Sequence, residues 1–114
     1  MRHEMKLKEH PFKMMKSGLK TIELRLYDEK RRAVQIGDTI CFHRYDNDEE
    51  KIEVVVKNLY VFPSFKVLYE ELPLIKCGYS KEDVINATYL DMTQYYTLEE
   101  QNKYGVIGIE VVLC

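Results

Sequence analysis

No C-x-x-C pair occurs among the three cysteines, Cys41, Cys77 and Cys114. This excludes a zinc ribbon and a thioredoxin-type redox motif. An odd number at wide spacing reads as free thiols and predicts a reducing, cytoplasmic setting. The histidines, His3, His10 and His43, have no metal-ligand spacing, and none pairs with a cysteine in a ligand motif. No metal and no cofactor is therefore expected. No run approaches about 18 apolar residues, so no membrane span is expected, and Met1–Lys6 has no apolar run to suggest a signal peptide. Basic excess is also missing. Seventeen Lys and Arg face nineteen Asp and Glu, for a net charge of -2. That balance argues against a broad duplex-binding surface and leaves room for one nucleotide, a short single strand or a local basic patch. Repeats, linkers and low-complexity runs are absent, and so is tryptophan.

What is present is globular. The chain is 46% apolar and 32% charged, and its 114 residues fit one domain, 1–114, able to fold without a metal or disulfide staple. Nine tyrosines offer rings that stack and hydroxyls that hydrogen-bond.

The stretch Gly18–Tyr27 organises the chain. Ile22, Leu24 and Leu26 alternate with Thr21, Glu23, Arg25 and Tyr27, which predicts a strand over about 20–27 with Glu23 and Arg25 opposite its core face. Before it lie a strand at 2–8 and a short helix opened by Pro11 and stopped by Gly18. After it, Asp28 caps a charged turn. A Gly37-Asp38 turn leads into a strand at 39–45, and Asp46-Asn47-Asp48 supplies a hairpin turn into a long strand at 51–62. A helix at 64–72 carries Phe65, Leu68 and Leu72. Ser80 with Asp83 predicts a capped helix to about Thr93, with Val84, Ile85, Thr88 and Met92 on one face. Thr97 with Glu100 caps another, ending at Gly105. Val106–Leu113 reads as a central strand. Helices inserted among strands, without βαβ alternation, predict an α+β fold with a curved, mostly antiparallel sheet or a small closed barrel.

Lys20, Glu23 and Arg25 form the sharpest cluster. A carboxylate beside two cations stays ionised and can accept from a ligand N–H, while the cations hold phosphate or carbonyl oxygens. Spacing alone favours a solvated ion pair. Lys30, Arg31 and Arg32 read either as a phosphate contact or as a solvated turn balanced by Asp28 and Glu29. Asp38 reads as a turn residue, and His43 as structural. Cys41 and His43 share a strand face, but a free cysteine more commonly behaves as a small buried hydrophobe than as a nucleophile. Tyr89, Met92, Thr93 and Tyr96 recur at helical spacing and read as sheet-capping core or as a stacking platform, with Tyr95 directed elsewhere.

Gly18-Leu19-Lys20-Thr21-Ile22-Glu23-Leu24-Arg25 resembles the G-x-K-x-x-E-x-R signature of ASCH domains, relatives of the PUA-like RNA-binding domains. Pro11-Phe12, Asp28–Arg32, Ile36–Ile40, Ser64-Phe65, Leu68-Tyr69, Gly78-Tyr79, Tyr95-Tyr96 and Tyr104–Glu110 extend the likeness to small bacterial stand-alone ASCH proteins over nearly the whole chain. The resemblance implies a PUA-like β-barrel with peripheral helices. It also implies a cleft lined by the signature residues, which with Arg31 and Arg32 gives the ligand-binding set Lys20, Glu23, Arg25, Arg31 and Arg32. The implied partner is RNA or a nucleotide or nucleoside. One similar branch hydrolyses N4-acetylcytidine with a lysine, a threonine and a glutamate. Lys20 matches the lysine, Glu23 stands at the threonine position, and the glutamate has no counterpart, so that triad is not intact. A hydrolase of acylated nucleosides or RNA, with Glu23 as general base and Lys20 at an oxyanion, is the enzymatic alternative. A protein-interaction or regulatory domain is the third.

Overall fold

The structure, a computed structural model, describes residues 1–114. Five strands form one sheet: β1 (Arg2–Leu7), β2 (Ile22–Leu26), β3 (Thr39–Arg44), β4 (Asn47–Phe62) and β5 (Val106–Leu113), in the order β1-β3-β4-β5-β2. Three pairings are antiparallel, and β1 with β3 is parallel. The helices are α1 (Glu9–Lys16), α2 (Glu29–Arg32), α3 (Phe65–Glu71) and α4 (Leu98–Tyr104). The sheet curls into a half-barrel, which decides between the curved and closed forms the sequence allows.

Its two edge strands, β1 and β2, share no ladder. Side chains bridge the seam instead. Arg25 Nη2 donates to the Lys6 carbonyl at 2.6 Å, and Lys30 Nζ donates to the Glu4 carbonyl at 2.8 Å. Alternate carbonyls on one edge of β1 thus find cationic donors where a sixth strand would have supplied amides.

β2 has a core on each face. Ile22, Leu24 and Leu26 pack with Phe65, Leu68, Met92 and Val106 beneath α3. Glu23 and Arg25 stand opposite Ile109 and Ile107, so they project with them towards the barrel interior, which is filled by Met5, Leu7, Phe12, Phe42 and Val54. The predicted alternation is correct, but the supposed polar face is not solvated.

Gly108 on β5 allows the close approach of α3's end: a Cβ there would lie 2.7 Å from Leu72 Cδ1. Asp28 caps α2 by accepting from Arg31 N, and Thr97 and Glu100 form the predicted capping box of α4.

The helix predicted over 80–93 is instead two 3-10 turns, Asp83–Asn86 and Tyr89–Gln94. Ala87 and Thr88 are extended between them, and Thr88 begins a new capping box with Asp91. Met92 is buried as predicted, whereas Ile85 is exposed because the break removes it from a common face. The β3–β4 turn is Tyr45-Asp46, one residue earlier than its most turn-like residues, with Arg44 opposite Asn47. No helix is long and apolar enough to cross a membrane.

Candidate functional site

Lys20, Glu23 and Arg25 converge at the floor of a cavity of about 400 Å³. Lys20 lies at the entrance to β2, held by the loop that follows α3. The amides of Thr21 and Ile22 both donate to the Lys76 carbonyl, which lays residues 76–78 over the lysine. Lys20 Nζ donates to the carbonyls of Cys77 (2.7 Å) and Ile22 (3.1 Å) and sits 3.2 Å from Glu23 Oε1. These three acceptors match the three protons of an ammonium. Gly78 has φ +114°, and a Cβ there would touch the Lys20 side chain at 3.4 Å. A side chain at this position would therefore combine backbone strain with intrusion on the lysine.

Glu23 is 5% exposed and divides its carboxylate between the cations: Oε1 faces Lys20, and Oε2 accepts from Arg25 Nε at 2.6 Å. Burial alone would raise the Glu23 pKa, but Arg25, then Lys20, outweigh it and hold the carboxyl below its usual range. Burial works against the Arg25 charge too, and Glu23 overcomes it, so the guanidinium pKa is raised. Arg25 Nε and Nη2 are engaged by Glu23 and Lys6, which leaves Nη1 without a protein partner beside the cavity. Two cations against one carboxylate make this buried cluster net +1.

A second polar line crosses the cavity. Tyr79 Oη donates to Asp91 Oδ2 at 2.6 Å, and the Tyr69 and Tyr79 hydroxyls are 2.7 Å apart. An ionised Asp91 only accepts, so Tyr79 spends its one proton there and Tyr69 donates to Tyr79. The Tyr69 oxygen is left with acceptor capacity. Burial pushes Tyr69 up to about 12 and, with the hydrogen bond donated to Asp91, raises Tyr79 as well. Both remain neutral phenols.

The rim pairs cations with exposed rings. Lys6 Nζ lies 5.5 Å from the centre of the Tyr45 ring, and Lys8 Nζ lies 5.3 Å from that of Tyr95. Lys6, Lys8, Lys20 and Arg25 outnumber Glu23 and Asp91 in the lining, so the cavity is basic in a chain of net charge -2.

Arg31 and Arg32 do not line it. Arg31 Nη1 binds Asp28 Oδ2 at 3.0 Å. Arg32 donates to the Tyr104 carbonyl and stacks over Tyr27 at 4.3 Å. Their cations serve the α2 turn and the α4 end, while Lys30 serves the seam. Asp38 also lies outside the cavity. It accepts from His3 Nε2 at 2.8 Å and from Gln35 N at 2.9 Å, and these bonds lower its pKa to about 2. Tyr89 and Tyr96 pack against the core under α3, and Tyr95 and Tyr96 line the cavity.

Sequence reasoning missed Lys6, Lys8, Tyr69, Tyr79 and Asp91 as site residues. The lysines look like the solvent face of an alternating strand. The two tyrosines fall within segments, Leu68-Tyr69 and Gly78-Tyr79, whose family likeness was the one available signal.

No curated protein matches the chain. Among solved structures, hypothetical protein PH0355 is 36% identical, with all of both chains covered and a TM-score of 0.81. Protein PF0455 from Pyrococcus furiosus is 34% identical over 99% of this chain and 97% of that one, with a TM-score of 0.70. A serine-to-alanine variant of the ASCH protein of Zymomonas mobilis shares the fold at 13% identity, covering 96% of this chain and 66% of its own, with a TM-score of 0.66. The ASCH domain family model matches residues 5–113. With the signature Lys20, Glu23 and Arg25 gathered at one cavity, the chain belongs to the ASCH domain family.

Proposed function

We propose that the cavity recognises a nucleotide, a modified nucleoside or the end of a short single-stranded RNA. The observation that carries this reading is the buried Lys20–Glu23–Arg25 cluster with its excess positive charge. A cavity of about 400 Å³ suits a ligand of nucleotide size. Glu23 retains lone pairs for a ligand N–H, and Arg25 Nη1 donates to an adjacent carbonyl or phosphate oxygen. Together they complement an N–H/C=O edge of a base. Tyr95 and Tyr45 offer stacking faces at the mouth, and Lys6 and Lys8 meet the phosphates.

Binding accounts for the geometry better than hydrolysis does. A general base near neutrality needs a raised carboxyl pKa, and that of Glu23 is lowered. Lys20 has its protons committed to two carbonyls and Glu23, so it acts as the support that orients the carboxylate.

The test is fluorescence anisotropy with a labelled six-nucleotide RNA, competed by mononucleotides and by duplex. Single strand or mononucleotide binds, duplex competes weakly, and Arg25→Gln abolishes the signal. Equal affinity in Arg25→Gln, or no binding by any ligand, overturns the reading. Mass spectrometry after incubation with N4-acetylcytidine and with RNA shows no product; turnover would replace recognition with hydrolysis.

A further inference from the structure

The outer face of the β1–β3 pair carries a cluster that the cavity does not use. Parallel pairing sets Glu4 in register with Cys41. His43, two residues further along β3, projects from the same face. His43 Nε2 lies 2.9 Å from Glu4 Oε2, and the Cys41 sulfur lies beside the same pair. The three donor atoms, one sulfur, one imidazole nitrogen and one carboxylate oxygen, all lie within 4.8 Å of one another. None of the three residues lines the cavity.

We propose that Glu4, Cys41 and His43 form a binding site for a divalent cation of the zinc class, with a fourth position open to solvent. The donor set is the reason for the class. Thiolate, imidazole and carboxylate together suit a borderline cation bound at about 2.0–2.3 Å, whereas magnesium and calcium take oxygen ligands. A small adjustment of side-chain positions brings the donors, of which the Glu4 and His43 atoms are already 2.9 Å apart, to tetrahedral separation. Rotamer changes in Glu4 and His43, both on the solvent side of Cys41, can supply it.

The metal displaces the Cys41 proton, and His43, binding through Nε2, carries its proton on Nδ1. Two negative ligands then neutralise the divalent charge. Arg2, the cation nearest Glu4 Oε1 at 3.5 Å, is already held by Glu53, which sits opposite Cys41 on β4. Glu4 Oε2 faces the histidine. A bound ion would staple the edge strand β1 to β3.

The site escapes motif reading because Glu4 is 39 residues from His43, and only the parallel pairing joins them.

Cobalt(II) titration of the full chain carrying Cys114→Ser tests the assignment, since that change removes the one exposed thiol. One equivalent of cobalt produces a thiolate-to-cobalt absorption band and low-coordinate visible bands, which zinc then bleaches. Cys41→Ser eliminates the thiolate band. His43→Gln and Glu4→Gln each weaken cobalt binding at least about tenfold. They also decide the matter if Cys41→Ser fails to fold, because neither side chain is in the core. Absence of a thiolate band, its persistence in Cys41→Ser, or unchanged affinity in His43→Gln and Glu4→Gln overturns the proposal.

Discussion

Two arginines in this molecule hold carboxylates in opposite ways. Arg44, at the end of β3, meets three: Asp46 at 2.6 Å, Glu50 at 2.5 Å and Glu9 at 3.3 Å, tying the hairpin to α1. Those carboxylates are 40–55% exposed, and acid outnumbers base. Arg25 meets one, Glu23, whose side chain is buried and shared with Lys20. The first network is solvated and over-compensated, so it needs nothing further. The second is desolvated and keeps surplus positive charge, and desolvated charge without full compensation is costly in a finished fold. In the binding reading proposed above, a ligand supplies the missing acceptor.

The largest way to break this contrast is Glu23→Ala. It leaves two buried cations facing each other, and urea denaturation is expected to show a loss of about 3–5 kcal/mol. A loss below about 1 kcal/mol would show that the cluster behaves like a surface pair. Next is Arg25→Gln, which spares the neutral Lys20–Glu23 pair but removes the free donor. RNA binding by anisotropy should weaken by about 2–5 kcal/mol, with a smaller effect on stability. Tyr95→Ala at the exposed rim should cost about 1–3 kcal/mol of binding and leave the urea midpoint unchanged, if a base stacks there.

Acid sharpens the contrast further. Glu23 and Asp38 both have pKa values lowered by folding. Their contribution to stability is complete above their unfolded values, about 4, and is lost as pH falls through the folded ones. For Asp38 that window runs from about 4 to about 2. The stability gap between wild type and Asp38→Asn should therefore narrow across it, as measured by urea midpoints at successive pH values. The smallest effect belongs to Arg44→Ala, which should move the urea midpoint least of these variants, by an amount that salt screens.

Local signals were legible where one physical rule acts alone. Gly18 stops α1 in the left-handed conformation with φ +85°, Asp28 and Thr97 cap their helices, and the β-branched run 106–113 is a strand paired on both sides. The helix drawn over 80–93 failed because the Thr88–Asp91 capping box competes with the one begun at Ser80. Periodicity does not register such a restart. Among site residues, Lys20, Glu23 and Arg25 were identifiable together because they share one strand and its entrance. Arg31 and Arg32 were grouped with them by adjacency, but their partners, Asp28, Tyr27 and Tyr104, turn them away.

By itself the sequence determined the α+β class, the order of nearly all elements and the side of β2 on which Glu23 and Arg25 stand. Each follows from short-range periodicity and capping. Only the tertiary structure decided that this side faces a barrel interior rather than water. It also decided that residues 76–78 close over Lys20, that Tyr69, Tyr79 and Asp91 form a proton-ordered line, and that Arg25 spans the open seam. Burial and partner choice depend on contacts between residues far apart in the chain, and no local pattern encodes them. For Lys20, Glu23 and Arg25, that difference converts an ordinary surface ion pair into a desolvated, cationic cavity floor.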